Sequence, residues 1–164
     1  MFTIYVGDSD DVVRRIQVGH SGDGTNVEAS VLRQHVARNA GYRICETRRP
    51  RGSVRKRLDL PNPRVGEHVI SSYIRSGVWR FVICDSAQEA HDFQWYAIEQ
   101  LKPLFNARRR RWQMEKTERY RSLLASLLSS RALRSDQLDR TRSGPGVYVL
   151  YHVSQPADFD KKAT

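Results

Sequence analysis

Apolar residues fall along this chain in short runs, each closed by glycine, proline or a charged cluster, the pattern of strands interleaved with amphipathic helices. The run FTIYV at residues 2–6 predicts a strand ended by Gly7. Asp8 to Asp10 offer carboxylates to cap a short helix that turns Val12, Val13 and Ile16 inward and stops near Gly19. Thr25 and Glu28 have the T-x-x-E spacing of a capping box. A helix opened there carries Val27, Val31, Leu32 and Val36 on one stripe and ends by Gly41. Residues 42–64 are polar and irregular, and Pro50, Pro61 and Pro63 exclude a long helix. A helix is expected from Val65 to Ser76 and a buried strand from Val78 to Cys84. Ser86 and Glu89 form another capping box, opening a helix that Lys102-Pro103 terminates. A further helix over 114–128 shows Tyr120, Leu123, Leu124, Leu127 and Leu128 as its apolar face. Residues 129–143, rich in Ser and Arg, read as a linker, and GVYVLYHV at 146–153 as a final strand before a polar tail.

At 164 residues and 39% apolar content the chain suits one domain with a modest core. No apolar run approaches the roughly 18 to 20 residues of a membrane span. The opening MFTIYVGDSDD lacks the basic and apolar regions of a secretory signal. Cys45 and Cys84 stand apart with no CxxC pair, so neither a disulfide framework nor a zinc site is expected. These features predict a cytoplasmic protein with no membrane partner.

Charge sharpens the picture. The formal net charge is +10, and 23 of the 28 basic residues are arginine. Arginine presents a planar fork that pairs with phosphate or guanine edges, which lysine does not. A polyanion, most simply nucleic acid, is the expected partner. Residues 42–64 concentrate Arg48, Arg49, Arg51, Arg55, Lys56 and Arg57, a basic and turn-rich segment suited to entering a DNA groove, with Arg14 as a further phosphate contact. The run Arg108 to Arg111 is a second anion-binding candidate.

Two tripeptides, Tyr5-Val6-Gly7 and Gly146-Val147-Tyr148, pair a tyrosine with glycine on predicted strands. Together with Arg15, eight positions after Gly7, and with the helix ending Lys102-Pro103-Leu104-Phe105-Asn106, they resemble the GIY-YIG nuclease superfamily. The resemblance covers roughly residues 2–106 and 144–154, in altered order, because the GIY-type strand closes the chain instead of opening it. Joining Thr164 to Met1 restores the family order, so the expected fold is a circularly permuted α+β domain with a small central mixed β-sheet flanked by helices. Residues 1–113 and 144–164 would form the nuclease core and 114–143 an accessory helix and linker.

The resemblance implies a site-specific endonuclease, similar to restriction enzymes of this superfamily, that hydrolyses phosphodiester bonds of double-stranded DNA with Mg²⁺ or another divalent cation. It implies Tyr5 or Tyr148 as the group that positions or deprotonates water, Arg15 as the stabiliser of phosphate charge, His20 or His35 as an auxiliary group, and Asn106 as an orienting amide. The family's metal-binding glutamate falls at Gln94, on a helix face otherwise formed by Ala90, Ala97, Ile98 and Leu101. Glutamine keeps the shape of glutamate without its charge, and hard cations want carboxylates, so catalysis is expected to be impaired. Glu89 and Glu99 face elsewhere by spacing and do not replace it. A palindromic target would require a two-fold homodimer. A non-catalytic DNA-binding module on a degenerate nuclease scaffold is the competing reading, with a repair, mobile-element or toxin nuclease as a third.

Overall fold

A computed structural model describes residues 1–22, 24–106, 112–139 and 141–159. Its centre is an antiparallel three-stranded sheet in the order β1 (Phe2–Ser9), β5 (Gly146–His152), β4 (Val78–Ile83). The molecule is α+β, with a small antiparallel sheet and helices on both faces. The sheet is antiparallel throughout where a mixed sheet is the expectation. The last strand enters between β1 and β4 and runs opposite to both, which leaves no parallel pair.

Every residue of β5 is buried, as a central strand covered on both faces requires. Tyr148 and Leu150 face one side, with Ile4, Trp79 and Ile16. Over that side lie α2 (Val31–Asn39) and α3 (Pro63–Ser76), which add Leu32, Val36, Ile70 and Tyr73. Val147, Val149 and Tyr151 face the other side, against α4 (Ala87–Leu101) and α5 (Thr117–Ser129). Tyr120, Leu123 and Leu127 of α5 are buried there, whereas Leu128 is 43% exposed, so the apolar stripe is narrower than its leucines suggest. The 129–143 stretch is no slack tether: Leu133 bridges to Trp79 through backbone hydrogen bonds of 2.6 and 2.8 Å, and Leu138 is fully buried.

Two local readings change. First, α2 begins at Val31 and not at a Thr25–Glu28 box. The Thr25 hydroxyl donates to the Val18 carbonyl at 2.7 Å, and Ser30 is the cap, its Oγ accepting from the Arg33 amide at 3.3 Å. Second, the basic insert is ordered as an antiparallel ribbon of β2 (Ile44–Arg48) and β3 (Val54–Leu58). Its turn closes where the Arg49 amide donates to Ser53 O at 2.8 Å. Gly52 sits there at φ 81°, a left-handed conformation that favours glycine. Ile44 and Leu58 pin the base of the ribbon to the core, so its arginines project into solvent.

Candidate active site around two tyrosines

The pairing of β1 with β5 sets Gly7 opposite Tyr148 and Tyr5 opposite Leu150. A bulge between Thr3 and Tyr5 shifts the register and re-aims the side chains that follow. Tyr5 packs on the same side of the sheet as Tyr148, with ring centroids 6.5 Å apart. Glycine is needed at position 7 because the Tyr148 ring lies across it. A Cβ there would fall 2.5 Å from Cζ and 2.8 Å from Cε2 of that ring, with the hydroxyl closer still.

Arg15 and His20 arrive from the segment that follows β1. Asp11, one residue past the expected caps, accepts from the Arg14 amide at 2.9 Å and starts α1 (Val12–Arg14). The chain then winds into a π-helical turn, Arg15–His20, closed by a hydrogen bond from Ser21 N to Ile16 O at 2.9 Å. The wider turn brings residues five apart into line, so Arg15 and His20 face the same tyrosines; such turns recur at functional sites. The Arg15 side chain lies over Gly19, where a Cβ would stand 3.0 Å from its Cδ.

His20 is fully buried between two hydroxyls, with Nε2 2.7 Å from Tyr148 Oη and Nδ1 2.6 Å from Ser30 Oγ. It stacks on Trp79 with centroids 5.9 Å apart and planes 11° from parallel, and meets the Tyr5 ring edge-on. Burial, with the charges of Arg15 and Arg33 behind it, holds its pKa well below the ordinary value, so the ring is neutral at neutral pH. Burial pushes the Tyr148 phenol far up, and the neighbouring Tyr5 adds to this, while the Arg15 guanidinium pulls it back. Tyr5 is raised by burial too, again opposed by Arg15. Tyr148 is 1% exposed; Tyr5 keeps an accessible edge and is the phenol that can meet an incoming ligand.

Four successive residues bind this cluster to the rest of the protein. The Val27 amide donates to Glu67 Oε1 at 2.9 Å, and Glu28 pairs with Arg49 at the ribbon tip at 2.9 Å. The Ala29 carbonyl accepts from Arg15 Nη1 at 3.3 Å, and Ser30 holds His20. The ribbon is therefore tethered one residue away from the loop that fixes the guanidinium. Of its basic residues, Arg48, Arg51, Arg55 and Arg57 are exposed, Arg49 has the Glu28 partner, and Lys56 reaches Glu46 at 3.5 Å and Gln34 at 3.2 Å. Arg14 is exposed on α1.

The remaining candidates separate. His35 stacks on Phe105 with centroids 5.5 Å apart, outside the tyrosine cluster, so His20 is the histidine that meets the phenols. Asn106 clips the free edge of β1: its side-chain amide donates to Val6 O at 2.9 Å and accepts from Val6 N at 2.8 Å. The Leu104 and Phe105 amides reach Thr3 O and Ile4 O just before it, so the Lys-Pro turn after α4 covers an edge strand. Gln94 is 9% exposed on α4, the helix packed against the Val147–Val149 side of the sheet, opposite the side on which Tyr5 and Tyr148 pack, and no hydrogen bond joins it to the tyrosine cluster among the described residues. The run Arg108 to Arg111 lies outside the described residues.

A divalent cation fits this donor set poorly. Position 94 offers a neutral amide oxygen, and no group of three His, Cys, Asp or Glu that could hold a metal occurs among the described residues. Asp8, whose charge reaches both phenols, is engaged by His91 at 3.2 Å.

Sequence reasoning missed Arg33. Its guanidinium is fully buried and donates to His20 O at 2.9 Å, Ser71 Oγ at 3.0 Å, Glu67 O at 3.2 Å and Glu67 Oε2 at 2.7 Å. The signal was a charge beside Leu32 and one turn before Val36 and Ala37, on the stripe that α2 buries. No protein-family model, curated protein or solved structure matches the chain, so the meaning of the site rests on its own residues.

Proposed function

We propose that this chain is a nuclease of GIY-YIG type that hydrolyses phosphodiester bonds in double-stranded DNA, site-specifically as restriction enzymes do, and that Gln94 leaves it impaired. The observation that carries the reading is the convergence of Tyr5, Tyr148, Arg15 and His20 on one side of a strand pair formed by the two ends of the sequence. Arg15 holds non-bridging phosphate oxygens as a fixed fork of donors and stabilises the charge that grows on them. Tyr5 meets the attacking water on the open side of the cluster. Tyr148, hydrogen-bonded to neutral His20, which Ser30 holds from its other side, fixes the geometry of the cluster. Water adds to phosphorus, the bond to the leaving oxygen breaks, and the proton lost by the water ends on that oxygen. Because both phenols are held above their ordinary pKa, cleavage rises as pH increases from neutral.

Gln94 gives the binding-module reading its own support, since an amide there does not hold Mg²⁺ as a carboxylate does. Plasmid cleavage in a Mg²⁺ buffer decides between the two. Gln94→Glu should raise the rate by about three orders of magnitude, several kcal/mol at ~1.4 kcal/mol per tenfold. Arg15→Ala on that background should remove the gain while DNA affinity stays within a few fold. Tight DNA binding with no cutting, either by this chain or by its Gln94→Glu variant, would give the function to the module.

A further inference from the structure

A cleft of about 530 Å³ opens between β3, the first turns of α3 and residues 24–26, away from the tyrosines. Arg55, Arg57 and Arg64 line it, and none of the three forms an ion pair with another described residue. The carboxylate in its wall, Glu67, is occupied by the buried Arg33 at 2.7 Å and by the Val27 amide, so it does not neutralise them. The buried Leu58 closes the floor toward the core, and His68 contributes an exposed ring. Three guanidiniums with no ion-pair partner among the described residues favour an anion, while the volume exceeds what a phosphate fills and falls in the range of small-molecule pockets.

We propose that this cleft holds one unpaired nucleotide of a nucleic-acid strand, its phosphate on Arg55, Arg57 and Arg64 and its base against His68. The inference rests on the nucleic-acid half of the proposed function and not on hydrolysis. It gives that reading a second foothold on the strand. Glu67 and Ser71 of the cleft wall both bond Arg33, which in turn holds the His20 carbonyl, so the cleft and the tyrosine site share one rigid support.

The test is fluorescence anisotropy of a short labelled single-stranded DNA without divalent metal, so that no cleavage enters. Arg57→Gln/Arg64→Gln, and separately Arg55→Gln, should weaken binding and flatten the dependence of log affinity on log salt by about 0.7 for each phosphate no longer held. Arg131→Gln, an exposed change outside the cleft, should alter neither as much; circular dichroism checks that each variant folds. A deoxynucleoside monophosphate should displace the strand at concentrations where inorganic phosphate does not. Unchanged affinity and slope in the cleft variants overturn the proposal, as does phosphate competing as well as the nucleotide. A mononucleotide that binds while the strand does not would make the cleft a free-nucleotide site and also overturn it. Strand binding through the cleft with no cleavage by the Gln94→Glu protein would sink the nuclease reading and leave this one standing.

Discussion

Gly7 and Tyr148 illustrate how one missing side chain sets a site. The glycine looks like a strand terminator in the sequence, yet β1 runs on to Ser9 and the glycine makes room for a ring from the other end of the chain. Gly7→Ala must push that ring, and Tyr148 is enclosed by Trp79, His20 and Tyr5. Overpacking of this kind costs about 1–3 kcal/mol. The variant should therefore melt several degrees lower, with the His20–Tyr148 hydrogen bond weakened, as thermal unfolding and the imidazole NMR signals would register. An unchanged melting temperature would mean the ring has somewhere to go. Tyr148→Phe tests the hydroxyl alone: it strands His20 Nε2 in a buried setting. Leaving such a group unpaired costs about 1–3 kcal/mol.

Among the elements, α2 carries the most consequence. Its cap, Ser30, also holds His20, and its buried Arg33 ties α3 to the carbonyl of the same histidine. Removing the guanidinium strips the buried His20 carbonyl and Ser71 hydroxyl of their donor and leaves Glu67, still held by the Val27 amide, without its cation; each buried group left unpaired costs about 1–3 kcal/mol. Arg33→Leu should accordingly destabilise the protein strongly in urea unfolding. Arg33→Leu combined with Glu67→Leu should recover much of the loss, because no uncompensated charge remains. A double variant as weak as the single one would show that the guanidinium matters through His20 O and Ser71 and not through Glu67. The T-x-x-E spacing places the start of α2 too early, since it is local chemistry and the competing Asn26 and Ser30 side chains take the backbone amides instead.

For the molecule as a whole, the buried His20 and His152 and the half-buried His35 set the response to acid. His20, His35 and His152 all have pKa values lowered, chiefly by burial, so the folded protein resists protonation while the unfolded chain takes up protons near 6.5. The folded pKa lies below the unfolded one, so this stability is complete above about 6.5 and is lost as pH falls from there toward the folded values. The fully buried His20 alone contributes a slope of up to about 1.4 kcal/mol per pH unit in that window. Urea midpoints should fall between about pH 7.5 and about pH 5.5, and His20→Gln should reduce the slope. A flat profile would mean that the ring gains a charge without leaving its site.

The three strands of the central sheet, the helices α3, α4 and α5 and the arginine-rich character were written in local patterns: apolar runs, Ser86 capping at Glu89, a Pro stop and a residue count. So were the tyrosine tripeptides and Arg15, because glycine beside tyrosine is visible without any fold. Local pattern was silent wherever a residue's meaning lay in a partner far along the chain. Register alone chose His20 over His35, since a π turn aims one at Tyr148 while the α2 face turns the other onto Phe105. Packing alone buried Arg33, ordered the basic insert as a ribbon and drew the expected linker into the core through Leu133 and Leu138. Amino-acid order determines which groups a chain can offer and the period at which it offers them; long-range burial and hydrogen bonding decide which of those groups meet.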